Sequence, residues 1–243
     1  MTIKLTICYD GTNYAGWQIQ KNRISVQEVL QSAIKQITGE DVKVVGSGRT
    51  DAGVHAKGQV ASFETNSTIP AENFYKALNT VLPDDVKALN SQAVDGNFNA
   101  RKCAKQKTYE YHLYLSDVQN PLKERYAHKI QGELDVDKMI SASKVLLGKH
   151  DFVAFSATGS SVKTTVREIY RINIDKSGQD LVISVTGNGF LYNMVRIIVG
   201  TLIKVGKGDM DETALKDMLL SGKRSQGVAT MPAKALCLKE VIY

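Results

Sequence analysis

Residues 46–55 read Gly46-Ser47-Gly48-Arg49-Thr50-Asp51-Ala52-Gly53-Val54-His55. One carboxylate, Asp51, and one cation, Arg49, stand two residues apart in a glycine-rich loop between the apolar runs 42–45 and 60–63. Glycines at 46, 48 and 53 permit sharp turns and close approach of a ligand to the backbone. In an extended segment the two charged side chains point the same way. An acid presented with a cation on a tight loop suits nucleophilic or general-base chemistry. The segment alone is equally compatible with a hairpin turn carrying a solvated ion pair, which contributes little.

Two other segments hold chemistry-bearing residues. Residues 98–107 carry Arg101, Lys102, Lys105 and Lys107, and Tyr109 and Tyr111 follow. Cations beside aromatics on a strand suit contact with phosphate and stacking on a base. The alternative is a solvated crossover whose tyrosines pack in a sheet; Tyr111 and Leu113 are assigned to packing, while Tyr109, first in the strand, is the candidate platform. In residues 188–200, Arg196 has apolar neighbours on almost every side. A guanidinium there is costly unless a carboxylate pairs with it, or unless it snorkels to solvent. Asp51 is the expected partner. Such a pairing holds the carboxylate ionised, as a nucleophile or general base requires.

Other chemistries find little support. Asp51 and His55 stand four apart, but Gly53 between them argues for a loop rather than a helix, and no third metal ligand is evident; no metal is expected. Residues 200–208 lack the Lys-Ser/Thr ending of a phosphate loop and follow a helix rather than a strand. His150-Asp151-Phe152 with Phe155 reads as a packed corner, not a catalytic dyad. Cys8, Cys103 and Cys237 are isolated, which disfavours a zinc site or a disulfide framework and fits a reducing compartment.

At 243 residues with 43% hydrophobic and 23% charged residues, the chain is expected to fold into one large or two modest cores. A net charge of +6 favours an acidic partner. The N-terminus lacks the pattern of a signal peptide, and the most apolar stretch, residues 194–205, contains Arg196 and Lys204 and is too short to span a bilayer. A soluble, cytoplasmic protein without membrane association is expected.

The elements that must position these residues follow from periodicity. Ile3, Leu5, Ile7 and Tyr9 alternate as a strand. Ser25-Val26-Gln27-Glu28 reads as a capping box opening a helix with Val26, Val29, Leu30, Ala33, Ile34 and Ile37 on one face. Strands are expected at 42–45 and 59–64, a helix after Pro70, and a strand at 86–94. The second half repeats the order: a strand through Tyr109, Tyr111 and Leu113, a helix from Asp135, a hairpin of 168–175 with 181–186, a helix over 190–205, an amphipathic helix over 211–220, and a closing strand over 236–242. The expectation is an α+β chain of two tandem ferredoxin-like (RRM-like) βαββαβ modules, residues 1–104 and 105–243, forming a mainly antiparallel sheet with a central cleft.

Gly-Arg-Thr-Asp-Ala-Gly-Val-His-Ala-x-Gly-Gln-Val at 48–60 resembles the active-site motif of the tRNA pseudouridine synthase A family. So do Phe-Asn-Ala-Arg at 98–101, Lys-x-Tyr-x-Tyr at 107–111, His-Asp-Phe-x-x-Phe at 150–155, the run 189–202, and the closing Pro-Ala-x-x-Leu-x-Leu at 232–238. The resemblance spans the whole chain. It implies conversion of uridine to pseudouridine at positions 38 to 40 of the tRNA anticodon stem-loop, without cofactor or metal, by a homodimer on which tRNA lies across both subunits. It further implies that Asp51 is the catalytic aspartate and Arg196 the arginine paired with it. Tyr109 is then the tyrosine that stacks on the target base, Arg49 the residue that displaces the flipped base, and Leu236 an apolar residue packed near it. The family pattern has glycine before that leucine, where this chain has Ala235.

This chemistry agrees with the residues. One ionised carboxylate can form a covalent adduct with base or sugar, or assist departure of the base, and the target must leave its stack first. The competing reading is a catalytically silent RNA-binding protein or RNA chaperone, which has no need of an acid beside bound phosphates. A nucleosidase would need a positioned water and usually a second acid; no second acid stands out.

Overall fold

The computed structural model describes residues 1–159 and 162–243. The chain is α+β and divides into two compact units, Met1–Lys105 with Cys237–Tyr243, and Gln106–Leu236. Among the described residues there are five α-helices, and no helix is long and apolar enough to cross a membrane.

The first unit contains β1 (Thr2–Tyr9), α1 (Val26–Thr38), β2 (Val45–Gly46), β3 (His55–Glu64), α2 (Phe74–Asn79) and β4 (Val86–Val94). β1 lies between β3 and β4, antiparallel to both. Its alternation has the expected cause: Ile3, Leu5 and Ile7 are fully buried, and Tyr9 nearly so. Ser25 caps α1 by accepting from the Glu28 amide at 3.3 Å, and Gly39 ends the helix in the left-handed conformation. α2 packs on β4, and Phe74 meets Phe63 of β3 edge-on at 5.7 Å.

Three expectations for this unit are corrected. Residues 42–45 do not form a full strand; only Val45 and Gly46 pair with β3. Val44 has its backbone satisfied elsewhere, its amide donating to Gln31 Oε1 and its carbonyl accepting from Gln27 Nε2. β3 begins at His55 rather than at residue 59. Its first residues pair in parallel with the closing strand β10 (Leu236–Ile242), in the register Cys237↔His55 and Leu238↔Ala56. β10, which the sequence assigned to the second module, therefore completes the sheet of the first unit from Cys237 onward.

The second unit contains β5 (Gln106–Leu115), β6 (His128–Ile130), α3 (Val136–Ser143), β7 (Gly148–Asp151), β8 (Val166–Ser177), β9 (Asp180–Gly187), α4 (Met194–Gly206) and α5 (Glu212–Ser221). The strands run in the order β5-β9-β8-β7 with antiparallel pairings, and β6 adds to β5 in parallel. Asp135 caps α3 by accepting from the Lys138 amide at 3.0 Å. α3 packs on α4 and β8. Every residue of α4 is buried except Arg196 and Lys204.

The short strands β6 and β7 have no counterpart in the sequence reading. α4 starts at Met194 instead of Phe190, because Asn193 takes a left-handed backbone (φ 61) that interrupts the helix. His150 lies in β7, yet the packed corner holds: the Phe152 ring meets His150 and Phe155 edge-on, and Phe152 is fully buried.

Candidate active site

The loop that carries Asp51 joins β2 to β3 and is built into the first unit from both sides. On one side, the Ser47 amide donates to the Val60 carbonyl at 2.7 Å and the Ser47 hydroxyl to Gln59 Oε1 at 2.5 Å. The Gln59 side-chain amide in turn donates to the Gly48 carbonyl at 3.0 Å. On the other side lies the segment that follows β1. The Trp17 amide donates to the Thr50 carbonyl at 3.0 Å, and the Gly53 amide to the Tyr14 carbonyl at 3.3 Å. The Thr50 hydroxyl pairs with the Tyr9 hydroxyl at 2.8 Å. Burial pushes the Tyr9 phenol well above its ordinary pKa, so it remains a neutral partner.

Asp51 closes this arrangement with a turn: its carbonyl accepts from the Val54 amide at 3.1 Å, and Gly53 sits at φ 78. The Asp51 side chain is half-buried and that of Arg49 exposed. The two neighbours therefore occupy different environments on one loop, which six backbone and side-chain hydrogen bonds anchor.

The anchoring segment was not singled out from sequence. Gly16 has φ +91, and a Cβ there would stand 2.4 Å from the Thr50 carbonyl oxygen. Backbone of residues 9–17 thus lies directly against backbone of the Asp51 loop. Tyr14 is held by its hydroxyl, which donates to Asp85 Oδ1 at 2.5 Å. Two glycines within six residues and the chain's single tryptophan were the available signal.

Tyr109, Arg196 and Leu236 belong to the second unit. Tyr109 lies opposite Val185 in the β5–β9 ladder and is 8% exposed. Phe190 backs its ring edge-on at 5.3 Å, which is the role taken by a residue expected to be helical. Arg196 sits in the first turn of α4. Its Nε donates to the Met231 carbonyl at 2.5 Å and its Nη1 to Asn193 Oδ1 at 2.7 Å. Neutral oxygens thus take part of what a carboxylate alone was expected to supply, and the unusual backbone of Asn193 aims its amide at the guanidinium.

The segment before β10 gathers these residues. Met231 accepts from Arg196, and the next carbonyl, Pro232, accepts from the Tyr111 hydroxyl at 2.8 Å. Tyr111, assigned to packing alone, is therefore also a pin, and Tyr109 shares its face of β5. A single 3-10 turn, Ala233–Ala235, then delivers Leu236, which is buried. Ala235 has an ordinary backbone conformation, so this position does not need the freedom of glycine. Among the described residues no three His, Cys, Asp or Glu side chains are grouped to hold a metal ion.

The Asp51 loop thus belongs to the first unit, and Arg196 and Tyr109 to the second. The sequence matches the family described as tRNA pseudouridine synthase over residues 6–101 and 142–243. It is 47% identical over 241 residues to the tRNA pseudouridine synthase A of Thermoanaerobacter sp. (strain X514), covering 99% of each chain. It is 46% identical to that of Clostridium acetobutylicum and 48% to that of Ruminiclostridium cellulolyticum, again over 99% of both chains. Among solved structures, one from the archaeal box H/ACA sRNP Nop10-Cbf5 complex is similar at a TM-score of 0.38 and 15% identity, over 83% of this chain and 43% of that one. The chain belongs to the tRNA pseudouridine synthase family.

Gly16→Ala tests the seating of the loop. It should cost at least about 1 kcal/mol, the ordinary penalty of a left-handed alanine, with more from the contact with Thr50. Urea unfolding measures this; unchanged stability would mean that the loop does not rest on this backbone.

Proposed function

We propose that this chain isomerises uridine to pseudouridine at positions 38 to 40 of the tRNA anticodon arm, with Asp51 as the nucleophile. The observation that carries the reading is the anchored Asp51 loop, in a chain whose relatives are named tRNA pseudouridine synthase A at 47, 46 and 48% identity. The reaction breaks the bond from ribose C1′ to uracil N1, turns the freed base, and forms a bond from C1′ to C5. The C5 proton leaves and N1 gains one, so nothing is oxidised and no water is consumed.

Asp51 attacks base or ribose in its ionised form. Arg196 pairs with it and favours that form; the hold of Met231 and Asn193 on the guanidinium supports a fixed direction for the pairing. Tyr109 stacks on the target base once it has left the helix, and its backing by Phe190 supports a rigid platform. Exposed Arg49 displaces the base, and Leu236 packs beside it. The order β1-α1-β2-β3-α2-β4 supports a ferredoxin-like first module. On this reading a second such module follows, the two share a cleft, and a cytoplasmic homodimer binds tRNA across both subunits.

Asp51→Ala should lower tritium release from C5-labelled uridine in tRNA by at least about a thousandfold while tRNA binding persists. Full activity in that variant would overturn the assignment. Arg196→Met should lower turnover about a hundredfold with little change in tRNA affinity. A loss confined to affinity would reject its pairing with Asp51.

A further inference from the structure

His55 ends the loop that carries Asp51 and begins β3. Its side chain is 8% exposed and turns back onto the segment after β1. There the Gly11 amide donates to His55 Nδ1 at 3.0 Å. The same nitrogen lies 3.1 Å from Asp10 Oδ1. These two neighbours make opposite demands, because an amide N–H needs a lone pair on Nδ1 and a carboxylate needs a proton there.

The surroundings decide between them. Asp10 Oδ1 already accepts from the Thr12 amide at 3.0 Å and the Thr12 hydroxyl at 2.5 Å, capping the 3-10 turn Gly11–Asn13. Gly11 is buried, and its amide is directed at Nδ1. A buried amide deprived of its acceptor is penalised more than a carboxylate that keeps two donors. The imidazole proton therefore belongs on Nε2, with the Nδ1 lone pair on Gly11.

Gly11 in turn abuts the catalytic loop. A Cβ on it would stand 2.0 Å from the Val54 carbonyl oxygen, so the two backbones are in direct contact. The Val54 amide closes the turn on the Asp51 carbonyl at 3.1 Å. We infer that His55 is a positioning residue for Asp51, acting as a hydrogen-bond acceptor that fixes Gly11, through which Val54 and the Asp51 turn are held. This rests on the reading of Asp51 as the reacting carboxylate. His55 itself touches neither base nor ribose in this role.

The geometry specifies which replacement rescues. Asparagine places Oδ1 the same number of bonds from the backbone as histidine Nδ1, whereas glutamine reaches to the place of Nε2. Turnover and KM for unmodified tRNA are to be measured for the wild type, His55→Ala, His55→Asn, His55→Gln and Asp51→Ala, with thermal unfolding of each. His55→Ala and His55→Gln should lose about ten- to a hundredfold in kcat, as a small misplacement of a reacting group does, with KM unchanged; His55→Asn should recover most of the loss. In the wild type labelled with nitrogen-15 histidine, the His55 signal, identified by its absence in His55→Asn, should show an unprotonated Nδ1. A protonated Nδ1, full turnover in His55→Ala, or a folded His55→Asn no better than His55→Ala would each overturn the inference. An inactive wild type, or a fully active Asp51→Ala, would instead overturn the reading of the reaction.

Discussion

The Asp51 loop keeps its shape because backbone lies against backbone. Gly11 meets the Val54 carbonyl and Gly16 the Thr50 carbonyl at distances that leave no room for a Cβ. Around those two contacts the amides of Trp17 and Gly53 complete hydrogen bonds between the segments. Ordering a loop costs roughly 1–2 kcal/mol per residue in backbone entropy, while each hydrogen bond returns about 1 kcal/mol net. No single bond could hold ten residues, 46–55, in one conformation; a sterically matched seat with several bonds can. β3 extends the same logic. Its start is paired to β10 and its later part to β2, so both ends of the loop run into paired strands.

The second unit solves a different problem, that of holding a cation among apolar residues. α4 buries every residue but Arg196 and Lys204. An arginine in such a helix must find oxygen atoms nearby or move toward water. Asn193 and Met231 supply oxygens, and the Met231 segment is itself pinned through Pro232 to Tyr111. One guanidinium, one phenol and two adjacent carbonyls thereby fix the approach to Leu236. Arg196 is then a directed charge and not a floating one.

Much of this was legible in the residues, for identifiable reasons. The alternation of Ile3, Leu5 and Ile7, the Ser25 and Asp135 caps and the bounds of β10 follow from local rules that the sequence obeys. The Asp51 loop announced itself through glycine spacing, and Arg196 through its apolar surroundings. What escaped depends on contacts distant in sequence. Val44 gives up strand pairing because two glutamines of α1 reach its backbone. The three residues of β6 and four of β7 are too short to show a period. Asn193 delays the start of the expected helix to Met194 by a backbone angle that composition does not reveal. The seat formed by residues 9–17 is hard to read from sequence because it depends on missing side chains, at Gly11 and Gly16, and on a histidine that serves as an acceptor.

The central claim is that a carboxylate so held serves uridine isomerisation in the anticodon arm of tRNA. Its most direct test is pseudouridine mapping of an unmodified tRNA transcript with uridines at positions 38 to 40, after incubation with the purified chain and no added cofactor. The account predicts pseudouridine at those anticodon-arm positions and at no other uridine of the transcript. A transcript left unmodified, or modified only outside that arm, would contradict it.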